Sequence, residues 1–369
     1  MKKKFYTIFT ISLAITFILM GCGKSINNIK KNKEEKHFRI GIVTNKTGID
    51  DQSFNQATWE AIKEIGKKNG WIENKNYKYL VSTSSKDFIP NLKKFSNHDY
   101  DLTIGVGYPF IDSLGKVAAQ NKDADFVIID GIVEKTNVAS ITFKEEEVAF
   151  LAGVAAALKT KSRKVGFIGG MKKDLIEKFD YGFQAGIQSI DPGIKVTSKY
   201  ANAFDKPELG TSLAASIYDQ GADVIFQAAG ATGNGVFTEA KNLKRIGKKV
   251  WVIGVDRDQY EEGLPENVTL TSAVKHIDTA LKKVINTTKK ENFPGGKIFR
   301  FGIKEHGVGL PKENKNLTIQ DLKQINLYKD TIRSGTIVVP KTKKELQSFV
   351  PTKPKPKPKL KTPAKNNIK

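Results

Sequence analysis

The chain has one cysteine in 369 residues. No intrachain disulfide can staple it, so its folded parts must rest on an apolar core. Histidine is almost as scarce. The four present, His37, His98, His276 and His306, stand at no paired spacing, so neither a metal site nor any other cofactor is expected. No Gly-x-Ser-x-Gly elbow and no readable Ser-His-Asp set is found, which removes the common hydrolase signatures. Two glycine turns fall short of phosphate loops. Gly105-Val-Gly107 lacks the third glycine of a dinucleotide fingerprint, and Gly230-Ala-Thr-Gly233-Asn-Gly235 lacks a following Lys-Ser/Thr. These absences argue against an enzyme and against a nucleotide phosphate site.

Positive charge is in excess: 61 Lys and Arg against 39 Asp and Glu, net +22. Its distribution does not describe a nucleic-acid binder. Ten of those charges fall in Lys2–Lys4 and in the seven lysines of residues 353–369. The rest is spread thinly, with no arginine-rich helix and no aromatic–basic alternation. Met1–Lys4 is a basic start, and Phe5–Met20 an apolar stretch shorter than the roughly 20 residues of a membrane span. Leu19-Met20-Gly21-Cys22 follows. This is the layout of a secretory signal, and Leu-x-Gly-Cys resembles a bacterial lipoprotein box in which Cys22 is lipidated. Residues 1–21 are therefore expected to be removed, and 22–36 to tether the protein to the membrane on the periplasmic or outer surface. Prolines alternating with lysines in 346–369 predict an extended, solvated tail.

Between tether and tail, short apolar runs alternate with helical periods. Phe38–Val43, Lys78–Thr83, Asp101–Val106, Phe126–Asp130 and Val138–Phe143 read as strands. Ser53–Lys68, Pro90–Ser96 and Ile111–Asn121 read as helices between them. The series restarts at an alanine-rich helix, Glu145–Lys159, and runs to the strand Val250–Val255; Val268–Val274, Lys297–Ile303 and Thr336–Val339 are further predicted strands. Two similar α/β sets imply two lobes with parallel sheets. An economical division gives the first lobe residues 37–143 plus about 275–300, and the second 144–274 plus about 301–345. Several crossovers would then make a hinge.

In open α/β sheets ligands gather at the carboxyl ends of strands. Asn45, Tyr108, Asp130 and Asp256 stand there, and Gly230 opens a loop whose bare amides can approach a ligand. Ser53, Phe54 and Asn55 begin the first helix, where Asp51 and Ser53 read as N-caps and Phe54 reads equally as a core residue. Phe204 lies in a polar loop, and Lys275 is just past a strand, available as the donor a buried Asp256 requires. Aromatic faces suit a flat base, and carboxylates suit sugar hydroxyls.

The ordered motifs Gly48-Ile-Asp-Asp-Gln-Ser-Phe-Asn55, Gly105-Val-Gly107-Tyr108, Phe126-Val-Ile-Ile-Asp130, Phe150-Leu-Ala-Gly153, Gly230-Ala-Thr-Gly-Asn-Gly235 and Gly254-Val-Asp256 resemble the basic membrane protein, or Med/PnrA-like, family over about His37 to Pro340. The basic tail looks most like its spirochaetal members. The resemblance implies a type I periplasmic-binding fold, with two Rossmann-like lobes clamping a purine nucleoside (adenosine, guanosine or inosine) for an ABC permease and ATPase. It implies base stacking by Phe54 and Phe204, ribose contacts by Asp256 and Lys275, and a cleft acid at Asp130. Asn45 departs from an Asp common in the family, which puts base preference in question. A monomer that binds without catalysing is expected. Two other readings remain open: a surface adhesin or antigen gripping host polyanions through the basic body and tail, and a nucleoside-cleaving enzyme, which the missing motifs disfavour.

Overall fold

The computed structural model describes residues 38–97, 100–290 and 292–354. The signal segment, the tether with Cys22, His37, His98 and residues 355–369 lie outside them. The apolar runs fold as strands, the inner ones such as Ile40–Thr44, Leu102–Val106 and Val224–Ala228 buried on both faces, which is the environment parallel sheets require. In chain order the strands are β1 (Ile40–Thr44), β2 (Tyr77–Val81), β3 (Leu102–Val106), β4 (Phe126–Ile129), β5 (Val138–Phe143), β6 (Lys164–Gly169), β7 (Lys195–Tyr200), β8 (Val224–Ala228), β9 (Trp251–Asp256), β10 (Thr269–Lys275), β11 (Ile298–Phe301) and β12 (Val308–Gly309). The helices are α1 (Phe54–Lys68), α2 (Phe88–Ser96), α3 (Ile111–Gln120), α4 (Glu145–Lys159), α5 (Asp174–Ile190), α6 (Pro207–Asp219), α7 (Asn234–Arg245), α8 (Ile277–Lys290), α9 (Ile319–Arg333) and α10 (Lys343–Gln347).

Two six-stranded sheets result, ordered β11-β5-β4-β3-β1-β2 and β12-β10-β9-β8-β6-β7. Every pairing is parallel except β10 with β12. The chain passes between the lobes three times: from β5 into α4, from β10 into α8, which packs on α1, and from β11 to β12. Three neighbouring crossovers are a hinge, and two of them carry site residues. Glu145 opens α4 and Lys275 closes β10.

Helix α4 is buried on nearly every side, as its all-round apolar sequence requires. Its backbone lies directly against α5, because Gly182 and Gly186 have no side chains. A Cβ on Gly186 would stand 2.0 Å from the Phe150 carbonyl oxygen.

Two expectations fail. Thr336–Val339 is not a strand. Ile337 and Val339 are buried while Val338 is 80% exposed, so the alternation that reads as a strand docks side chains without a sheet edge beside it. The tail expected from 346 starts later. Thr342 caps α10, accepting from the Glu345 amide, and Phe349 packs edge-on against Phe150 at 6.4 Å. Leu346 and Phe349 both pack on the core, which holds these residues on the body ahead of the prolines.

Candidate ligand-binding cleft

The site begins at the first turn of α1. Asp51 caps this helix, accepting from the backbone amides of Ser53 (2.9 Å), Asn55 (3.0 Å) and Gln56 (3.0 Å). Burial pushes its carboxyl up to about 6 against those three donors. Ser53 occupies the N-cap position but makes no side-chain cap bond. Its hydroxyl instead crosses to the other lobe and donates to Asp256 Oδ2 at 2.6 Å. The expected pair of caps is thus one cap and one bridge: the two oxygens of Asp51 reach all three amides and leave Ser53 free.

The same loop is held to the second lobe at further points. Gln52, at φ +56°, presents its carbonyl to Gln259 Nε2 at 2.7 Å. The Asp51 carbonyl accepts from Asn234 Nδ2 at 3.3 Å, and Lys46 pairs with Asp205 at 2.5 Å. Gln259 is fully buried. Its Oε1 accepts from the Val255 amide and from Gln227 Nε2, both at 2.8 Å.

At the hinge end, Lys275 Nζ lies 2.5 Å from Asp130 Oδ2 and 3.3 Å from Glu145 Oε1. Phe54, Phe143 and Phe179 surround it with ring centroids at 5.1, 5.4 and 5.4 Å. Lys275 was expected to pair with Asp256; Asp130 and Glu145 take it, and Ser53 supplies the donor for Asp256. Burial alone would strip the proton from Lys275, but Asp130, Glu145 and Asp256 together outweigh it and hold the ammonium above the lysine range. Burial pushes the Asp130 and Asp256 carboxyls up, with Lys275 opposing in both cases. Both Asp residues have left-handed backbones, φ +56° and +65°. Such conformations persist where surrounding structure fixes them, as at ligand clamps.

At the mouth, Asn45 Oδ1 accepts from the Thr47 amide (3.1 Å), the Thr47 hydroxyl (2.6 Å) and Asn55 Nδ2 (2.9 Å). The Asn45 carbonyl is therefore occupied, and its NH2 is the end left to a ligand. Asn55 Oδ1 and Asp130 Oδ1 are buried acceptors with no partner, so each is suited to a donor brought from outside. Tyr108 and Phe204 meet edge to face, centroids 6.3 Å apart. Gly230 sits under Phe204 at φ +57°, a backbone that side chains disfavour.

Between the lobes is a cavity of about 80 Å³. Asn45, Phe54, Asn55, Tyr108, Asp130, Phe204, Gly230, Asp256 and Lys275 all line it; Ser53 stands behind Asp256 rather than in the wall. Phe54 is half-buried, packs against the core and also faces the cavity, so the core and wall readings both hold. Asp51, Thr47, Leu175, Ile176 and Phe179 also line it without having been anticipated. The last three lie on an amphipathic helix, where apolar spacing signals core and nothing marks a cleft wall.

Two sheets joined by three crossovers, with a polar-ended slot between them, make up the type I periplasmic-binding fold. The chain matches the family described as ABC transporter substrate-binding protein PnrA-like over residues 39–343, and it belongs to that family. It is 40% identical over 352 residues to the CD4+ T-cell-stimulating antigen of Listeria innocua, covering 92% of this chain and 99% of that one. It is 38% identical to the ABC transporter nucleoside-binding protein BmpA of Lactococcus lactis, with 92% and 99% covered. Basic membrane protein A2 of Borrelia garinii matches at 32% over 85% of this chain and 91% of its own. A solute-binding protein of an ABC transporter system from Aeropyrum pernix superposes with a TM-score of 0.73 at 24% identity, covering 84% and 96%; at that identity the likeness concerns the fold.

Proposed function

We propose that this protein captures a purine nucleoside between its lobes, without converting it, and delivers it to an ABC permease and its ATPase. One observation carries the reading: an aromatic-walled slot ends in a buried carboxylate–ammonium cluster, Asp130–Lys275–Asp256. The flat base lies against Phe54, with Phe204 and Tyr108 closing its other side. Ribose hydroxyls reach Asp256 and Lys275, replacing Ser53 as the donor to Asp256. The Asn45 NH2 and the unpartnered Asn55 Oδ1 present a donor beside an acceptor. A 6-oxopurine offers O6 and N1–H to that pair, and adenine offers a ring nitrogen and its amino group, so the site accepts either.

Carboxylates outnumber ammoniums at the hinge end, so an added phosphate is repelled there. Nucleosides fit and nucleotides do not. A cavity of about 80 Å³ is also far below the roughly 300–1,000 Å³ of ordinary ligand sites, so entry requires the lobes to part about the hinge.

The test is calorimetric titration of ligand-stripped protein with adenosine, guanosine and inosine. Stoichiometric heat with a matching rise in melting temperature is expected; no heat at millimolar nucleoside removes the proposal. Lipidation at Cys22 holds the protein at the membrane in this account. A Cys22→Ser variant should no longer incorporate labelled palmitate, and continued labelling would refute the anchor. The excess of lysine left after the signal segment favours a second, compatible role in binding polyanions.

A further inference from the structure

The inner cavity does not end at Tyr108 and Phe204. A second cavity, about 440 Å³, lies outside them and shares Asn45, Thr47, Tyr108 and Phe204 with the first. It is a vestibule at the seam of the lobes. Its floor on the first lobe is the turn after β2, where Ser82, Thr83, Ser84 and Ser85 stand in succession, with Phe88 beneath. Its wall on the second lobe is Met171 and the loop Asn202–Asp205. The Lys46–Asp205 ion pair spans it from lobe to lobe, so the vestibule persists while the lobes are together.

Resting on the nucleoside reading, the direction of the ligand follows from charge. The sugar belongs at the buried hinge end, where Asp130, Asp256 and Lys275 are fixed. The base then points outward, and its polar edge meets Asn45, which lines both cavities, and Asn55, which lines the inner one. A group attached to that edge leaves the inner slot through the gap shared by the two cavities. A group attached to the sugar meets Lys275, Asp130 and Glu145, all buried, and has no exit.

We propose that the vestibule is a subsite for substituents on the base, and that the substrate class includes nucleosides whose purine carries an exocyclic side group. Of the hydroxyls on its floor, that of Ser82 accepts from Asn91, and those of Thr83 and Ser84 bond Asp87. The Ser85 side chain is exposed and lies at the turn. The subsite therefore offers a polar rim and the Phe88 and Met171 surfaces, which fits a short side group with an apolar stem.

The experiment compares adenosine, N6-benzyladenosine and 5′-O-benzyladenosine by calorimetry on the ligand-stripped protein. The N6-substituted nucleoside should bind within about threefold of adenosine, and the 5′-substituted one at least about a hundredfold more weakly, a factor of ten for each 1.4 kcal/mol. Ser85→Trp should fill the vestibule and weaken N6-benzyladenosine at least about tenfold while leaving adenosine within about twofold. Adenosine binding with loss of the N6-substituted compound overturns this inference alone, and so does equal weakening of both ligands by Ser85→Trp. Failure of every nucleoside to bind overturns the nucleoside reading beneath it.

Discussion

At the hinge end of the cleft, an ammonium and three carboxylates are buried together among phenylalanines: Asp130 and Glu145 hold Lys275, and Ser53 holds Asp256. At the mouth, Asn45, Thr47 and Asn55 form a neutral amide–hydroxyl cluster, part-exposed at Asn45 and Thr47 and buried at Asn55, beside two aromatic rings. The contrast teaches where affinity and where discrimination reside. Electrostatics is strong where water is excluded and weak where it is present, so the hinge end should govern whether a ligand binds. The mouth, with neutral donors and acceptors worth about 1 kcal/mol each, should govern which base is preferred.

The contrast is broken most severely by removing the cation. Lys275→Met leaves Asp130, Glu145 and Asp256 buried without it, and should cost about 3–5 kcal/mol of stability, read in urea melts, together with all nucleoside binding. Asn45→Ala removes three neutral hydrogen bonds and should cost less, about 1–3 kcal/mol, without abolishing binding. Next, a 5′-phosphate sets a negative charge against those acids: AMP should bind at least about a hundredfold more weakly than adenosine, since like charges brought together in a buried site cost several kcal/mol. Asp256→Asn keeps an acceptor for Ser53 but loses the charged one, and affinity should fall about 10- to 100-fold, the range for hydrogen bonds to charged groups.

A smaller effect sharpens the comparison from outside the wall. Gln259 donates a hydrogen bond to the opposite lobe at the Gln52 carbonyl. Gln259→Glu keeps the acceptor for Val255 and Gln227 and removes that one donor. Dissociation measured by stopped flow should speed up about tenfold with association little changed, because interface changes act mainly on the off-rate. The smallest effect is on pH. Asp51 is pushed up to about 6 from 3.8, so the folded state holds its proton more tightly than the unfolded chain does. Stability from this group rises as pH falls from about 6 to 4 and is lost as pH rises through 6. Asp51→Asn should flatten that part of a melting-temperature profile.

Asp130, Asp256 and Gly230 are legible in the sequence because β-strand ends are legible, and parallel sheets put ligands there. Phe54 is half legible: an aromatic at a helix start reads as core or wall, and only the position of the other lobe shows that it is both. Glu145, Phe179 and Gln259 are not legible. Each meets partners on elements far away in the chain, and each has an ordinary local reading as helix start, helix core or turn. The exchange of roles between Asp51 and Ser53 is hidden for the same reason, since Ser53 looks like a cap until Asp256, 203 residues away, stands beside it.

A crystal structure of the inosine complex tests the central claim most directly. The account expects the purine ring against Phe54, with Phe204 opposite, and ribose hydroxyls within hydrogen-bonding distance of Asp256 and Lys275. A reversed ligand, with its sugar at Tyr108 and its base against Lys275, would contradict it, as would a ligand bound outside the cleft.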